Sequence, residues 1–294
     1  MPKSVILKTL IWDGAVSLAV LDTTEIVREA IRRHHLSPVA AAALGRTMSA
    51  TAYLCSWLKG SESSLSVAIN GKGVGGTIGT AGDGNLFLRG YVDHPEADLA
   101  PSASGKLDVG GFTGCDGTIT VIRDDRSGVP FVGTSPLVSG EIAEDFSAYF
   151  LTSEQRPTAI ALGVLIGKDG DCIAAGGLFL QPLPGASEEV LTRIEREIGR
   201  FSNRSTLIGE RGAEGVLRML APEEKYTERE IFYRCHCSRE RIASLLLSLG
   251  KAEAQSILRD EGKISVHCHY CNTTYDFDEE EALSLFNVGG NHEN

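Results

Sequence analysis

Two short apolar runs, Ser4–Trp12 and Ala15–Leu21, flank Asp13-Gly14, and this pattern predicts a β-hairpin at the start of the chain. Asp22-Thr23-Thr24 supplies capping side chains for a helix over 25–34, in which Ile26, Val27, Ala30 and Ile31 recur at helical spacing. Ser37-Pro38 opens a second helix through Trp57, so rich in alanine and leucine that it predicts a buried element. From Leu65 to Val138 the texture changes. The β-prone runs 65–69, 86–92, 117–122 and 131–137 are separated by glycine-rich turns and predict an antiparallel sheet of hairpins. A helix is expected over 141–151. Lys168-Asp169-Gly170 then joins two further strands, 158–166 and 172–180.

Gln181-Pro182-Leu183-Pro184-Gly185 ends that pattern. In the segment that follows, Val190, Leu191, Ile194, Ile198 and Phe201 form an apolar stripe on a helix over 187–201 whose other side is charged. A weaker helix is expected over 213–220, and then the chain turns polar. The last sixty or so residues read as a separate small module. It holds a strand at 231–234, helices over 238–249 and 254–258, a hairpin of 262–267 with 275–277, and an acidic helix from about Asp278. The fold class is therefore α+β, with an antiparallel-sheet core domain over 1–180, a helical linker over 181–231 that lacks a core of its own, and a C-terminal module over 232–294.

Composition sharpens this. The 294 residues carry 42% apolar and 23% charged side chains, enough for a buried core. The 33 glycines suit the turns of a hairpin sheet. A net charge of −11, with no lysine or arginine run, disfavours a nucleic-acid partner. No apolar stretch approaches the ~18 residues of a membrane span, and the N-terminal residues lack the pattern of a signal or transit peptide. Seven cysteines, an odd number, without a secretory signal point to a reducing compartment.

Those cysteines are unevenly placed. Cys55, Cys115 and Cys172 stand alone, while Cys235, Cys237, Cys268 and Cys271 fall within 37 residues as C-x-C and C-x-x-C. Each pair follows an expected strand, so two turns can face each other and offer four thiolates to a tetrahedral Zn²⁺ ion. A small module also needs such a staple. Four thiolates suit an iron–sulfur cluster as well, and His236, His267 and His269 are further donors; the C-x-C pair and the module layout favour zinc with four sulfurs. Thiols this close can also form disulfides once released from a metal. On spacing alone, a purely structural zinc site stays open beside a redox-active one.

The residues carry a family resemblance. Cys235-His236-Cys237-Ser238-Arg239-Glu240-Arg241, the leucine run to Gly250, and His267-Cys268-His269-Tyr270-Cys271 with Tyr275 and Phe277 resemble the zinc module of the redox-regulated 33 kDa chaperonins, the heat shock protein 33 family. Asp22-Thr23-Thr24, Leu44-Gly45-Arg46, Arg89-Gly90-Tyr91-Val92, Ser153-Glu154-Gln155, Ala175-Gly176-Gly177 and 181–185 resemble its core domain. The resemblance implies an ATP-independent holdase of the cytoplasm, not an enzyme, inactive while zinc occupies the four cysteines. It further implies that oxidation, often with heat, releases zinc and forms the disulfides Cys235–Cys237 and Cys268–Cys271. The module and linker then unfold, and active homodimers bind unfolding polypeptides. The exposed stripe of Val190, Leu191, Ile194, Ile198 and Phe201 is then the candidate client-binding surface.

Other signals weigh little. Gly71-x-Gly73-x-x-Gly76 matches a dinucleotide fingerprint, but no helix is expected after it, and no P-loop exists, so no nucleotide is expected. A constitutive interaction protein with a structural zinc module is the second reading. A thiol oxidoreductase using Cys268 and Cys271 is the third, and the C-x-C pair disfavours it.

Overall fold

The computed structural model describes residues 3–126, 128–201 and 204–288. Its first hairpin joins β1 (Ser4–Ile11) to β2 (Val16–Asp22). The turn works because Asp13 and Gly14 both take positive φ, at 55° and 78°, and the Ala15 N–H donates to the Trp12 carbonyl. The helix α1 (Thr24–His34) starts after Thr23, and Asp22 Oδ1 accepts from both the N–H and the hydroxyl of its first residue, Thr24. Ser37 caps α2 (Pro38–Cys55) by accepting from the Ala40 N–H. As expected from its alanine content, α2 is buried almost throughout.

The hairpin region supplies β3 (Ser64–Asn70), β4 (Ile78–Asp83), β5 (Phe87–Val92), the short α3 (Val109–Thr113), β6 (Thr118–Asp124), β7 (Phe131–Pro136) and α4 (Ile142–Thr152). Neither β4, with the sequence Ile-Gly-Thr-Ala-Gly-Asp, nor α3, with two glycines in five residues, is legible from propensity. The Gly-x-Gly-x-x-Gly stretch is explained here. The N–H groups of Gly73 and Gly75 donate to the carbonyls of Thr113 and Phe112. An added Cβ on Gly73 would sit 2.3 Å from the Phe112 carbonyl oxygen. These glycines let two backbones touch; they do not open a helix over a phosphate.

Next come β8 (Ala159–Ile166), β9 (Cys172–Pro182), α5 (Glu188–Arg200), α6 (Arg204–Leu220) and β10 (Thr227–Tyr233). One ten-stranded sheet results, in the order β7-β6-β3-β4-β5-β10-β1-β2-β9-β8. Every pair in it is antiparallel except β10 with β5. The helices α1, α2 and α4 bury one face around Leu44, Tyr53, Phe146 and Phe179. A second core lies on the other face of β1, β2, β8 and β9, where α5 and α6 dock on Leu7, Leu18, Leu178 and Leu180. This double cover explains why β9 is buried at nearly every position.

The contacts divide the chain between Arg234 and Cys235. The sequence reading places a linker at 181–231 and a strand at 231–234 in the C-terminal module. That strand instead begins at Thr227 and belongs to the large sheet: Ile231 is buried, pairs with Ser4, and helps to close the first core. The weaker helix expected over 213–220 extends back to Arg204 and is broken at Gly212, which takes φ 65° and ψ 174°. Its N-terminal half anchors through Ile208, buried in the second core.

The second unit holds α7 (Arg239–Leu249), α8 (Lys251–Glu261), β11 (Ile264–Cys268), β12 (Thr273–Phe277) and α9 (Glu279–Val288). Ser238 caps α7 and Gly250 ends it, as the sequence indicates. Among the described residues the buried part of its core is Ile242, Leu246, Ala254, Leu258, Ile264, Phe277 and Ala282, with partly buried neighbours such as Val266 and Phe286 around it. Three of α7's leucines, Leu245, Leu247 and Leu249, remain exposed.

Candidate metal centre

The four cysteines of the C-terminal unit arise from two short segments. Cys235 and Cys237 lie in the extended stretch before α7, and the Ser238 cap fixes where that stretch ends. Cys268 closes β11, and Cys271 lies in the turn leading to β12. That turn is tight: the N–H groups of Cys271 and Asn272 both donate to the Cys268 carbonyl, and Asn272 takes φ 58°, a left-handed conformation that asparagine tolerates. β11 pairs with β12 from Ile264↔Phe277 to Cys268↔Thr273, so the turn that carries Cys271 closes the hairpin directly after Cys268.

The four Sγ atoms lie within 4.8 Å of one another. Cys235 and Cys268 are 3.7 Å apart, and Cys237 and Cys271 are 3.2 Å apart. Sulfurs at the corners of a tetrahedron around a metal, with bonds of ~2.3 Å, stand about 3.8 Å apart. The observed set is close to that, so the donors can hold one metal ion. Their protonation supports the same conclusion. Burial pushes the Cys235 thiol up, and the neighbouring sulfurs push it further. Burial and Cys271 likewise raise Cys268. Burial also acts upward on Cys271, but hydrogen bonds with Thr273 and Cys237 outweigh it and bring that thiol to about 7. Four sulfurs this close cannot all carry charge without a cation between them.

Two side chains extend the site beyond the cysteines. The Tyr275 hydroxyl donates to Cys237 Sγ at 3.2 Å, and Thr273 Oγ1 lies 3.3 Å from Cys271 Sγ. Tyr275 is part of the resemblance motif. Thr273 is not, and its only signal in the sequence is a hydroxyl two residues past the last cysteine. His267 and His269 meet edge to face, with ring centroids 5.4 Å apart, and His267 Nδ1 lies 3.3 Å from Thr274 Oγ1. Neither joins the sulfur cluster.

The three remaining cysteines are elsewhere. Cys55 and Cys172 are buried, and Cys115 is exposed. Burial holds the thiols of Cys55 and Cys172 protonated, Cys172 at about 12, which suits side chains that pack and do not react.

The apolar stripe of α5 docks on the second core: Ile194 and Phe201 are buried, and Val190 and Ile198 are partly buried against it. Leu191 is half-buried beside Leu183 and Pro184. Arg193 holds the helix from outside, its guanidinium 4.1 Å from the centroid of the Trp12 ring. The sequence reading missed Glu197, which also lies on the docked face. No helix among the described residues is long and apolar enough to cross a membrane.

Comparison with known proteins agrees with these features. The sequence profile of the family described as Hsp33 protein matches residues 4–278. A 33 kDa chaperonin of Bacillus cytotoxicus is 42% identical over 288 residues, covering 96% of this chain and 98% of that protein. A 33 kDa chaperonin of Bacillus anthracis is 41% identical over the same coverage. The crystal structure of a 33 kDa chaperonin, a heat shock protein 33 homolog from Thermotoga maritima, superposes with a TM-score of 0.89 at 36% identity. It covers 98% of this chain and 99% of that one.

Proposed function

The chain belongs to the Hsp33 family, a family of chaperones, and from that premise we propose that it is a redox-regulated, ATP-independent holdase of the cytoplasm. In this reading Cys235, Cys237, Cys268 and Cys271 hold one zinc ion in the reduced, inactive state. The observation that carries the proposal is the sulfur cluster itself, four donors from two segments in a unit with a small buried core. Zinc, when bound, keeps all four sulfurs as thiolates and ties the two segments together.

Thiolates are also the oxidisable form. Each pair of cysteines gives two electrons to one peroxide molecule; one S–S bond forms, the O–O bond breaks, and with the protons taken up two waters result. The proposed pairs are Cys235–Cys237 and Cys268–Cys271. Cysteines so paired no longer offer four thiolates, and the unit loses its tie. Unfolding of this unit then frees the linker helices, and the stripe of Val190, Leu191, Ile194, Ile198 and Phe201 becomes available to unfolding polypeptides. Activated chains associate as homodimers. The stripe supports this role because it is largely apolar apart from Glu197 while the outer face of α5 is charged, so undocking would expose an apolar surface on an otherwise hydrated helix.

The test is a light-scattering assay of an unrelated protein heated with this one. The reduced, zinc-loaded protein is expected to leave aggregation unchanged, and the peroxide-treated protein to suppress it. Equal behaviour of the two forms would favour a constitutive interaction protein with a structural zinc site.

A further inference from the structure

The docked face of α5 carries a charge. Val190, Ile194, Glu197 and Phe201 follow each other at spacings of four, three and four, which places Glu197 in the middle of the apolar stripe. Its side chain is only 9% exposed, while Ile194 before it and Phe201 after it are buried in the second core. A carboxylate placed there needs a partner, and the partners it has are its own helix neighbours. Arg200 Nη1 donates to Oε2 at 2.9 Å and to Oε1 at 3.2 Å, and Arg196 reaches Oε1 at 3.4 Å. Both arginine side chains stay in water, 67% and 65% exposed. Among the described residues no donor from the sheet or from α6 reaches Glu197.

This arrangement has a definite sign. The Glu197–Arg200 pair, one turn apart, can form equally well on an undocked α5 in water. Docking therefore adds no partner for the carboxylate and takes away part of its hydration. Glu197 works against the attachment that Ile194 and Phe201 provide. An apolar residue of similar length at the same place would add to it.

We propose that Glu197 sets how readily α5 leaves the sheet, and through that the threshold at which the chaperone switches on. The inference rests on the reading above, in which undocking of the linker helices exposes the client-binding surface. Glu197 is a positioning residue in this scheme and acts through the docking of α5.

The experiment uses the full-length, reduced, zinc-loaded protein and two readouts. Amide hydrogen exchange across 188–200 measures docking without reference to chaperone activity. The time course of aggregation suppression after peroxide at raised temperature measures activation. Glu197→Leu is expected to slow exchange across α5 by about tenfold or more, and to delay activation by a similar factor. Glu197→Gln is expected to act in the same direction to a smaller extent. Arg200→Gln should speed exchange in the native background, where it strips the carboxylate of its nearest cationic partner, and have no effect in the Glu197→Leu background. Unchanged or faster exchange in both Glu197 variants would overturn the proposal, since it would mean that the carboxylate holds the helix down. Slower exchange with unchanged activation would uphold the role of Glu197 in docking and overturn the link between undocking and activity.

Discussion

Cys237 and Cys271, 34 positions apart in sequence, bring their sulfurs to 3.2 Å, and Cys235 and Cys268 bring theirs to 3.7 Å. Both of these pairs join different segments, and all four sulfurs lie within 4.8 Å of one another. The disulfides proposed for the active form join sulfurs within one segment. In the folded unit either pairing is therefore within reach, and the choice between them turns on whether the segments part. Once they part, closing a ring over one or two intervening residues costs far less chain entropy than closing one over about thirty.

Disulfide mapping by mass spectrometry follows from this. After peroxide with heat, Cys235–Cys237 and Cys268–Cys271 are expected to dominate. Dominance of Cys235–Cys268 and Cys237–Cys271 under those conditions would show that oxidation traps the folded unit, and the proposed release would fail.

Metal removal should unfold the second unit and leave the large sheet of the first intact. Structural zinc in small modules contributes roughly 10–16 kcal/mol of binding free energy, and the small buried core of the second unit has little to put in its place. A strong chelator is expected to abolish exchange protection over 239–288 and leave the sheet of the first unit protected. Metal analysis before chelation should give one zinc per chain, and Cys271→Ser should lower that sharply. Persistent protection of α7, α8 and α9 without metal would show that the staple is not needed.

Phe201 anchors the docked end of α5 in the second core. Truncation of a buried phenylalanine costs about 3–5 kcal/mol, so Phe201→Ala should loosen α5 locally. The expected result is faster exchange across 188–200 and measurable aggregation suppression without any oxidant. Fast exchange with no suppression would detach the stripe from client binding.

The strand β10 should behave differently from the helices before it. Ile231 is buried, and five residues of β10 pair with β1. Oxidation is expected to remove protection from 188–220 while 227–233 stays protected. Loss of both together would mean that the sheet itself opens between β5 and β1.

Gly176 tests the fold. An added Cβ there would lie 2.0 Å from the Leu21 carbonyl oxygen and 2.7 Å from Ile208 Cδ1, where α6 crosses β9. Gly176→Ala is expected to cost about 3 kcal/mol or more, as overpacking against backbone does, read as a lower thermal midpoint of the first unit. An unchanged midpoint would contradict the close approach of α6 to the sheet.

Much of this was legible in the sequence, and the failures have physical reasons. The hairpin at Asp13-Gly14, the helix starts at Ser37 and Ser238, and the four-cysteine set all rest on short-range chemistry, which sequence displays directly. The apolar stripe of α5 was visible for the same reason. What it lies against was not, because the docking surface is built from β1, β2, β8 and β9, far away in the chain. The strand β10 was cut short because 221–227 is polar, and its place between β5 and β1 is a pairing choice that no local pattern records. Glu197 falls at stripe spacing in the sequence, but a lone charge there reads as part of a hydrated face; its burial against the sheet is a property of the docked structure.

The most direct test follows three quantities in one sample. Peroxide is added to the reduced, zinc-loaded protein at raised temperature, and zinc release, exchange protection over 188–220, and suppression of aggregation of an unrelated protein are measured against time. The account predicts that zinc release comes first and that loss of protection and gain of suppression rise together after it. Full zinc release with α5 and α6 still protected and aggregation unsuppressed would contradict it.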